Sequence, residues 1–245
     1  MGVRQILIIG HRGAYDEAPE NTLKGFKKAI ELGADYVEFD VHESKDGALV
    51  VIHNTDILKR MGYNRTIEQM TLEELQELDL GESERVPELW EVINLAKRKI
   101  NLLCEIKAKG ISNKVINLLR NEDVINSTII QSFLIEELLE IRRIEPKLEL
   151  AAIVPITEEY LPEWERRKKL IESVANLGFP YIVTRYKNVD EEFLNYSHKH
   201  NLKIFVYILN TKKVMKKFIE MGVDGIIVNS ISKAKKALEQ KINFD

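Results

Sequence analysis

The sequence predicts a (β/α)8 barrel, the TIM-barrel class of α/β folds. Short apolar runs rich in β-branched residues alternate with amphipathic helical stretches along the whole chain. The runs are continuously apolar, as strands covered on both faces should be. Eight such runs, each followed by a helical stretch, and a length of 245 residues fit one closed barrel.

The individual elements follow from the same patterns. The predicted strands are ILIIG (6–10), YVEFDV (36–41), NLLCEI (101–106), STIIQS (127–132), LELAAIV (148–154), YIVTR (181–185), KIFVYIL (203–209) and GIIVN (225–229). The predicted helices between them are TLKGFKKAIELG (22–33), SNKVINLLRN (112–121), LIEELLEIRRI (134–144), EWERRKKLIESVANLG (163–178), VDEEFLNYSHKH (189–200) and TKKVMKKFIEMG (211–222). An open doubly wound sheet is the alternative, but HRGAYDEAPEN follows the first strand in place of a glycine-rich dinucleotide fingerprint.

An extra strand interrupts this repeat. The run ALVVIH (48–53) follows the second strand after only Asp-Gly at 46–47, which is too short for a parallel crossover. Asp-Gly between two strand-like runs predicts a β-hairpin with positive φ at both turn positions. Counting back from such a two-residue turn places Asp40 opposite His53, with both side chains on one face.

Residues 54–100 contain no obvious barrel strand. We interpret 54–85 as a small insertion over one end of the barrel, with a helical stretch at 71–81. A second helical stretch at 87–99 then leads to the third barrel strand. The whole chain, 1–245, is thus predicted to be one domain with an insertion at about 54–85.

Composition excludes several classes of protein. A net charge of −3, with Lys and Arg spread along the chain, gives no basic footprint for nucleic acid. The only cysteine, Cys104, excludes an intrachain disulfide and is expected to pack outside the pocket. Neither a leader peptide nor an apolar run of membrane-spanning length is apparent. We therefore expect a cytoplasmic protein without stable membrane insertion, either a monomer or a homodimer.

Three carboxylates are expected to meet at the carboxyl ends of the strands, the face where barrels place their chemistry. Glu38 and Asp40 point to one face of the second strand, and Glu105 lies near the end of the third. Such a cluster needs a cation, and hard oxygen ligands suit Mg²⁺, Ca²⁺ or Mn²⁺. The structural alternative for Glu38 and Asp40 is an ion pair with Arg12 or Lys107.

Two histidines and two cations are predicted to share this pocket. His11 follows the first strand and His53 ends the hairpin, so they form a candidate acid–base pair. The glycines on either side of His11 and Arg12 would let the backbone approach a ligand. Arg12 and Lys107 supply fixed positive charge suited to a phosphate. Together these groups favour phosphoester cleavage over redox or acyl-transfer chemistry.

Other polar residues have simpler explanations. Helix capping accounts for Asn21 or Thr22 without catalysis. We place His42 on the strand face opposite Glu38 and Asp40, outside the pocket, and expect His198 and His200, on a lysine-rich helix end, to be solvated.

The long block HRGAYDEAPENTLKGFKKAIELGADYVEFDVHESKDGALVVIHN (11–54) resembles the signature of the glycerophosphodiester phosphodiesterases. Weaker similarity continues through CEIK (104–107), IIQSF (129–133), FVYILN (205–210) and GVDGIIVN (222–229). The resemblance implies a metal-dependent barrel enzyme that hydrolyses glycerophosphodiesters to sn-glycerol 3-phosphate and an alcohol. It also implies that 54–100 corresponds to the family's inserted segment, which helps to bind the glycerol unit.

The resemblance assigns roles to the same seven residues that the strand pattern selects. By position these are the metal ligands Glu38, Asp40 and Glu105, the general base His11, the general acid His53, and the phosphate-binding cations Arg12 and Lys107. Three departures from the family pattern stand nearby: Asn54 and Asn229 where Asp is usual, and Tyr207 where Trp is usual. We expect Asn54 to weaken support of the site and Tyr207 to reshape the substrate wall.

Two other functions fit the same residues. A lysophospholipase D would need an apolar slot, for which Met61, Tyr63 and Leu72 of the insertion are candidates. A non-catalytic metal- or phosphate-binding relative is the third interpretation. The presence of both His11 and His53 argues against it, because simple binding does not need both.

Overall fold

The structure, a computed structural model, describes residues 6–53, 59, 62, 64–154 and 163–242. Its strands are β1 (Leu7–Gly10), β2 (Tyr36–Glu43), β3 (Leu49–Val51), β4 (Asn101–Ile106), β5 (Thr128–Ser132), β6 (Glu149–Ile153), β7 (Tyr181–Arg185), β8 (Lys203–Tyr207) and β9 (Gly225–Val228). All except β3 pair in parallel, and β1 pairs with both β9 and β2, which closes the barrel. The prediction of an eight-stranded barrel with one extra hairpin strand is confirmed.

Helices cover the outside of the barrel, and one more, Leu72–Gln76, belongs to the insertion. They are α1 (Leu23–Glu31), α2 (Leu72–Gln76), α3 (Leu89–Ala96), α4 (Ser112–Asn121), α5 (Ile135–Ile144), α6 (Trp164–Asn176), α7 (Glu191–Lys199), α8 (Lys212–Met221) and α9 (Ile231–Ile242). Side chains of Thr22, Asp190 and Thr211 accept backbone N–H bonds at the starts of α1, α7 and α8. No helix in the described ranges is both long and apolar enough to cross a bilayer.

Strand alternation divides the core into two shells. Phe39 and Cys104 point outward and pack between the barrel and its helices, as expected for Cys104. Leu103, Phe205 and Ile227 point inward and fill the barrel with a second cluster. Glu38 and Asp40 flank the outward-facing Phe39 on β2, and Glu105 follows the outward-facing Cys104 on β4. Strand alternation therefore turns all three carboxylates towards the barrel axis.

The predicted hairpin register is wrong by one residue. Val41 pairs with Val51, so that Ile52 rather than His53 stands opposite Asp40, where its N–H donates to the Asp40 carbonyl. The turn holds three residues instead of two, and only Gly47, at φ 88°, has a positive φ there. The Ser44 hydroxyl causes this, because it accepts the N–H of residue 48 at 2.9 Å and donates to the side chain of residue 46.

The described part of the insertion has a small core of its own. Buried apolar side chains of this segment pack against those of β3 and the residue after it; the cluster comprises Val50, Ile52, Ile67, Met70, Leu75, Leu78 and Val86. Residues 54–58, 60, 61 and 63 lie outside the described part. The division of the chain into one domain with an insertion stays a prediction.

Paired polar groups close the amino end of the barrel. Tyr181 donates its hydroxyl to Glu149 at 2.8 Å and accepts from Lys203 at 3.1 Å. His198 lies 2.8 Å from a carboxylate oxygen of Asp224, and its side chain is only 23% exposed. The expectation that His198 is solvated was therefore wrong.

Candidate active site

A cavity of about 300 Å³ opens at the carboxyl end of the barrel. All seven predicted site residues line it: His11, Arg12, Glu38, Asp40, His53, Glu105 and Lys107. The rest of its lining is mostly apolar and comes from β5 to β9: Gln131, Phe133, Ile153, Val183, Arg185, Tyr207, Ile208 and Ile227. The cavity thus has a charged half and an apolar half, and Tyr207 forms part of the latter wall.

The three carboxylates, here called the acidic triad, are Glu38, Asp40 and Glu105. They are 3%, 1% and 6% exposed, and one oxygen from each lies within 4.8 Å of the others. The parallel register of β2 and β4 pairs Asp40 directly with Glu105, while Glu38 precedes Asp40 on the same face. Strand geometry alone therefore assembles the triad.

Two cations reach the triad but do not neutralise it. Lys107 Nζ lies 2.7 Å from Glu105 Oε1 and 3.2 Å from Asp40 Oδ1. Arg12 Nε lies 3.6 Å from Asp40 Oδ2 and its Nη1 bonds Glu20 at 2.7 Å. The ion pairs weighed as a structural alternative are thus present. They place only two positive charges beside three carboxylates, so they balance the negative charge of the triad only in part.

The pKa values of the triad show this deficit of positive charge. Burial and then repulsion from Asp40 raise the pKa of Glu38 well above its ordinary value, and the same causes raise that of Glu105 to about 7. Burial also works to raise the pKa of Asp40, but nearby positive charge, led by Lys107, outweighs it and lowers that pKa. Three buried oxygen donors with excess negative charge fit a hard divalent cation.

His11 is held in one tautomer. Its Nδ1 lies 2.8 Å from Asn229 Oδ1, an atom that can only accept, so Nδ1 carries the proton and Nε2 keeps its lone pair. Burial, followed by the charge of Arg12, lowers the pKa of His11 to about 4. The ring is therefore neutral near pH 7, as a general base must be.

Sequence reasoning did not assign Asn229 this contact with His11. The two residues are 218 positions apart and meet because β1 and β9 are neighbours, with Gly10 paired to Val228. The signal was available, since residue 229 directly follows the strand that neighbours β1 in the predicted barrel. It had been noted only as a departure from the family pattern.

His53 enters the cavity although the hairpin ladder ends at Val51. His42 Nε2 lies 3.2 Å from the His53 carbonyl oxygen, and His42 Nδ1 lies 3.1 Å from Glu68 of the insertion. His42 was placed outside the pocket and does not line the cavity. Strand alternation nevertheless gives it the same face as Asp40, and its contacts support the backbone that carries His53.

Contacts within the protein account for the backbone of the loop after β1. Arg12 has φ 50°, and its N–H donates to Glu38 Oε2 at 2.9 Å. Gly13 has φ 94°, and a Cβ there would lie 2.8 Å from the carbonyl carbon of Gly25 in α1. The glycines were expected to admit a ligand, but at Gly13 the close neighbour is the backbone of α1.

Two amides also contact the triad: Asn21, for which the sequence suggested only helix capping, and Gln131, to which it assigned no role. Thr22 caps α1, which frees Asn21 to donate from Nδ2 to Asp40 Oδ2 at 2.9 Å. Gln131 donates from Nε2 to Glu38 Oε1 at 3.2 Å. Both amides are buried, and both orient a carboxylate of the triad.

Comparison with known proteins gives a consistent result over most of the chain. Residues 11–233 match the sequence model of the glycerophosphoryl diester phosphodiesterase family. A glycerophosphodiester phosphodiesterase of Caldanaerobacter subterraneus subsp. tengcongensis is 32% identical over 236 residues, which cover 91% of this chain and 93% of that protein.

Solved structures agree in fold. A glycerophosphodiester phosphodiesterase of Thermotoga maritima superposes with a TM-score of 0.77 at 27% identity, covering 98% of this chain and 99% of that one. An Oleispira antarctica phosphodiesterase, solved in complex with the product sn-glycerol 3-phosphate, gives a TM-score of 0.83 at 23% identity over 95% and 96% of the two chains.

Proposed function

The chain belongs to the glycerophosphoryl diester phosphodiesterase family, and from that premise we propose that it hydrolyses glycerophosphodiesters to sn-glycerol 3-phosphate and an alcohol. One observation carries the proposal. A neutral histidine with a free Nε2 lines the same cavity as a buried, electrostatically unbalanced acidic triad and two cations. That combination supplies a base, a site for a divalent ion and fixed charge for a phosphate.

Glu38, Asp40 and Glu105 would hold one divalent metal ion. When bound, the ion supplies Lewis-acid polarisation of the phosphoryl group. Carboxylate-only ligation favours Mg²⁺ or Ca²⁺, with Mn²⁺ as a third candidate. Asn21 and Gln131 hold the carboxylates of Asp40 and Glu38 in place for that task.

The two histidines divide the proton transfers. His11 accepts a proton at Nε2 from the attacking oxygen, because Nδ1 is already committed to Asn229. His53 then protonates the oxygen of the leaving alcohol. The attacking oxygen is either that of water, which gives glycerol 3-phosphate directly, or the substrate's own 2-hydroxyl, which first gives a cyclic phosphate. In the second route water then opens the ring with the roles reversed: His53 accepts a proton from the water and His11 returns its proton to the 2-oxygen.

Arg12 and Lys107 are proposed to hold the phosphate. Their side chains are 16% and 19% exposed and line the cavity beside the triad. A guanidinium and an ammonium group in this position offset the negative charge of a phosphodiester. The cytoplasmic location and the choice between monomer and homodimer stay predictions.

The lysophospholipase D alternative keeps this chemistry with a larger substrate. Two of its candidate slot residues, Met61 and Tyr63, lie outside the described residues, as does Asn54. Leu72 packs against the small core of the insertion rather than the cavity. No contact in the described part of the chain favours this alternative, so glycerophosphodiesters are proposed as the substrate class.

The test is product release from glycerophosphocholine and glycerophosphoethanolamine by protein stripped with EDTA and then supplied with Mg²⁺, Ca²⁺ or Mn²⁺. We expect glycerol 3-phosphate to appear only after metal addition, and the most effective ion identifies the cofactor. A lysophospholipid assayed in parallel separates the two enzymatic interpretations. Metal-dependent thermal stabilisation without turnover of any diester would instead favour the non-catalytic relative.

A further inference from the structure

Gln131 lines the cavity and has a buried amide oxygen without a hydrogen-bond partner in the described part of the chain. It lies on β5, is 2% exposed and lines the cavity beside the acidic triad. Its Oε1 atom is buried and has no hydrogen-bond partner among the described residues. Buried side-chain oxygens in folded proteins nearly always have a partner, so this atom points to a bound group.

The neighbours of Gln131 fix which way its amide faces. Nε2 donates to Glu38 Oε1 at 3.2 Å, and in the metal-loaded protein Glu38 would be an ionised carboxylate, which can only accept. Rotating the amide would set Oε1 against that carboxylate, so Oε1 must face away from Glu38. The parallel register pairs Gln131 with Glu105 on one side and Ala151 on the other. Ala151 has no donor, and Glu105 has none once it is ionised to hold a metal ion.

The missing partner must therefore be a donor, and the proposed substrate class limits the choice. A phosphodiester group has no hydrogen to donate, and neither has a choline leaving group. The donors shared by every glycerophosphodiester are the two free hydroxyls of the glycerol unit. We propose that Gln131 Oε1 accepts a hydrogen bond from one of these hydroxyls and so selects substrates whose glycerol unit is not acylated there.

This inference rests on the proposed function for the identity of the ligand, but its test does not require turnover. The probes are sn-glycerol 3-phosphate, propane-1,2-diol 1-phosphate and propane-1,3-diol phosphate. The two analogues each lack one hydroxyl. Their dissociation constants are measured by calorimetry on the metal-loaded protein, for the wild type and for Gln131→Met.

We expect the wild type to bind sn-glycerol 3-phosphate about tenfold to hundredfold more tightly than one of the two analogues, as for a buried acceptor left unpaired. In Gln131→Met that ratio should fall to less than about threefold, because the group that recognises the hydroxyl is gone. Gln240→Met, on α9 outside the cavity, is the matched control and should keep the wild-type ratio. Removing Gln131 also removes its hydrogen bond to Glu38, which could weaken the binding of all three phosphates equally. Such an equal loss does not change the ratio of dissociation constants.

Two results would overturn the inference: equal binding of all three phosphates by the wild type, or an unchanged ratio in Gln131→Met. Either would mean that Oε1 does not accept a hydrogen bond from a glycerol hydroxyl. Equal binding is measured on the wild type alone, so the inference can be refuted even if the Gln131→Met protein does not fold. Glycerophosphocholine hydrolysis is assayed on the same samples. If the protein is active but the ratio is unchanged in the variant, only the role of Gln131 is refuted. If no diester is hydrolysed, the proposed function is refuted, and the binding ratio still tests the role of Gln131.

Discussion

The two ends of the barrel contain similar polar groups arranged in opposite ways. At the amino end, Asp224 accepts from His198 and from the N–H of Ile204, each at 2.8 Å. At the carboxyl end, the three carboxyl groups of the acidic triad outnumber the two nearby cations. Burial and mutual repulsion therefore raise the pKa values of Glu38 and Glu105. One end is satisfied within the protein, and the other is left to be completed by what it binds.

The histidine contacts repeat this contrast. His198 and His11 each lie 2.8 Å from an oxygen acceptor, but that acceptor is a carboxylate for His198 and the neutral amide of Asn229 for His11. The Asn229 oxygen fixes the tautomer of His11, while burial, followed by the charge of Arg12, keeps that ring neutral. His198 instead contacts a carboxylate that also accepts a backbone N–H, which is a structural contact. Distance alone therefore does not identify a catalytic histidine; the chemical nature of its partner and its burial have to be known as well.

Cavity size is equally uninformative. A cavity of about 600 Å³ lies at the amino end beside Asp35 and Lys97–Lys99, and it is larger than the one at the carboxyl end. We favour the smaller cavity because it holds the triad, the one cluster of three possible metal ligands within the described ranges.

Replacing a histidine of the cavity should have the largest effect on activity. His11→Ala or His53→Ala should lower kcat by at least about 10²-fold, the low end for removal of an acid–base group. His198→Ala, the control from the amino end, should leave kcat near that of the wild type while lowering the melting temperature. Steady-state assays and thermal melts on all three proteins check this, and wild-type-like turnover in either cavity variant would remove that histidine from the mechanism.

Isosteric replacement of one buried carboxylate at each end of the barrel should affect metal binding at one end and stability at the other. Glu38→Gln should abolish most of the metal-induced rise in melting temperature yet change the metal-free melt little, because burial already drives this carboxyl group towards its neutral form. Asp224→Asn should lower the free energy of unfolding by about 1–3 kcal/mol with or without metal, because it disturbs a satisfied buried group. Thermal and denaturant melts with and without metal test both, and equal metal responses in the two variants would contradict the comparison.

The pH dependence gives the smallest effect. The folded pKa of Glu105, about 7, exceeds its ordinary 4.5, so the metal-free protein binds an extra proton between these values and loses stability as pH rises through about 7. Metal must displace that proton, so its affinity should be about tenfold weaker at pH 6 than at pH 8 for each proton released. Calorimetry in two buffers of different ionisation enthalpy measures the release, and a pH-independent affinity with no proton release would refute it.

Most of the fold and the content of the charged half were predictable from the sequence. Continuous apolar runs identify parallel strands, and the polar residues at their carboxyl ends then share one face. The hairpin register was not predictable in the same way, because the Ser44 side chain replaced a two-residue turn with a longer one. The contacts of His42 and Asn229 were missed because they depend on side-chain directions and on strands far apart in the chain.

The contact between β1 and β9 also decides when the chain becomes an enzyme. A chain still being synthesised, and ending before residue 225, already contains the triad and both histidines. It lacks Asn229 to hold His11, and it lacks the strand that closes the barrel. We therefore expect a chain that ends before residue 225 to lack both a closed barrel and a fixed His11 ring, and so to hydrolyse no phosphodiester.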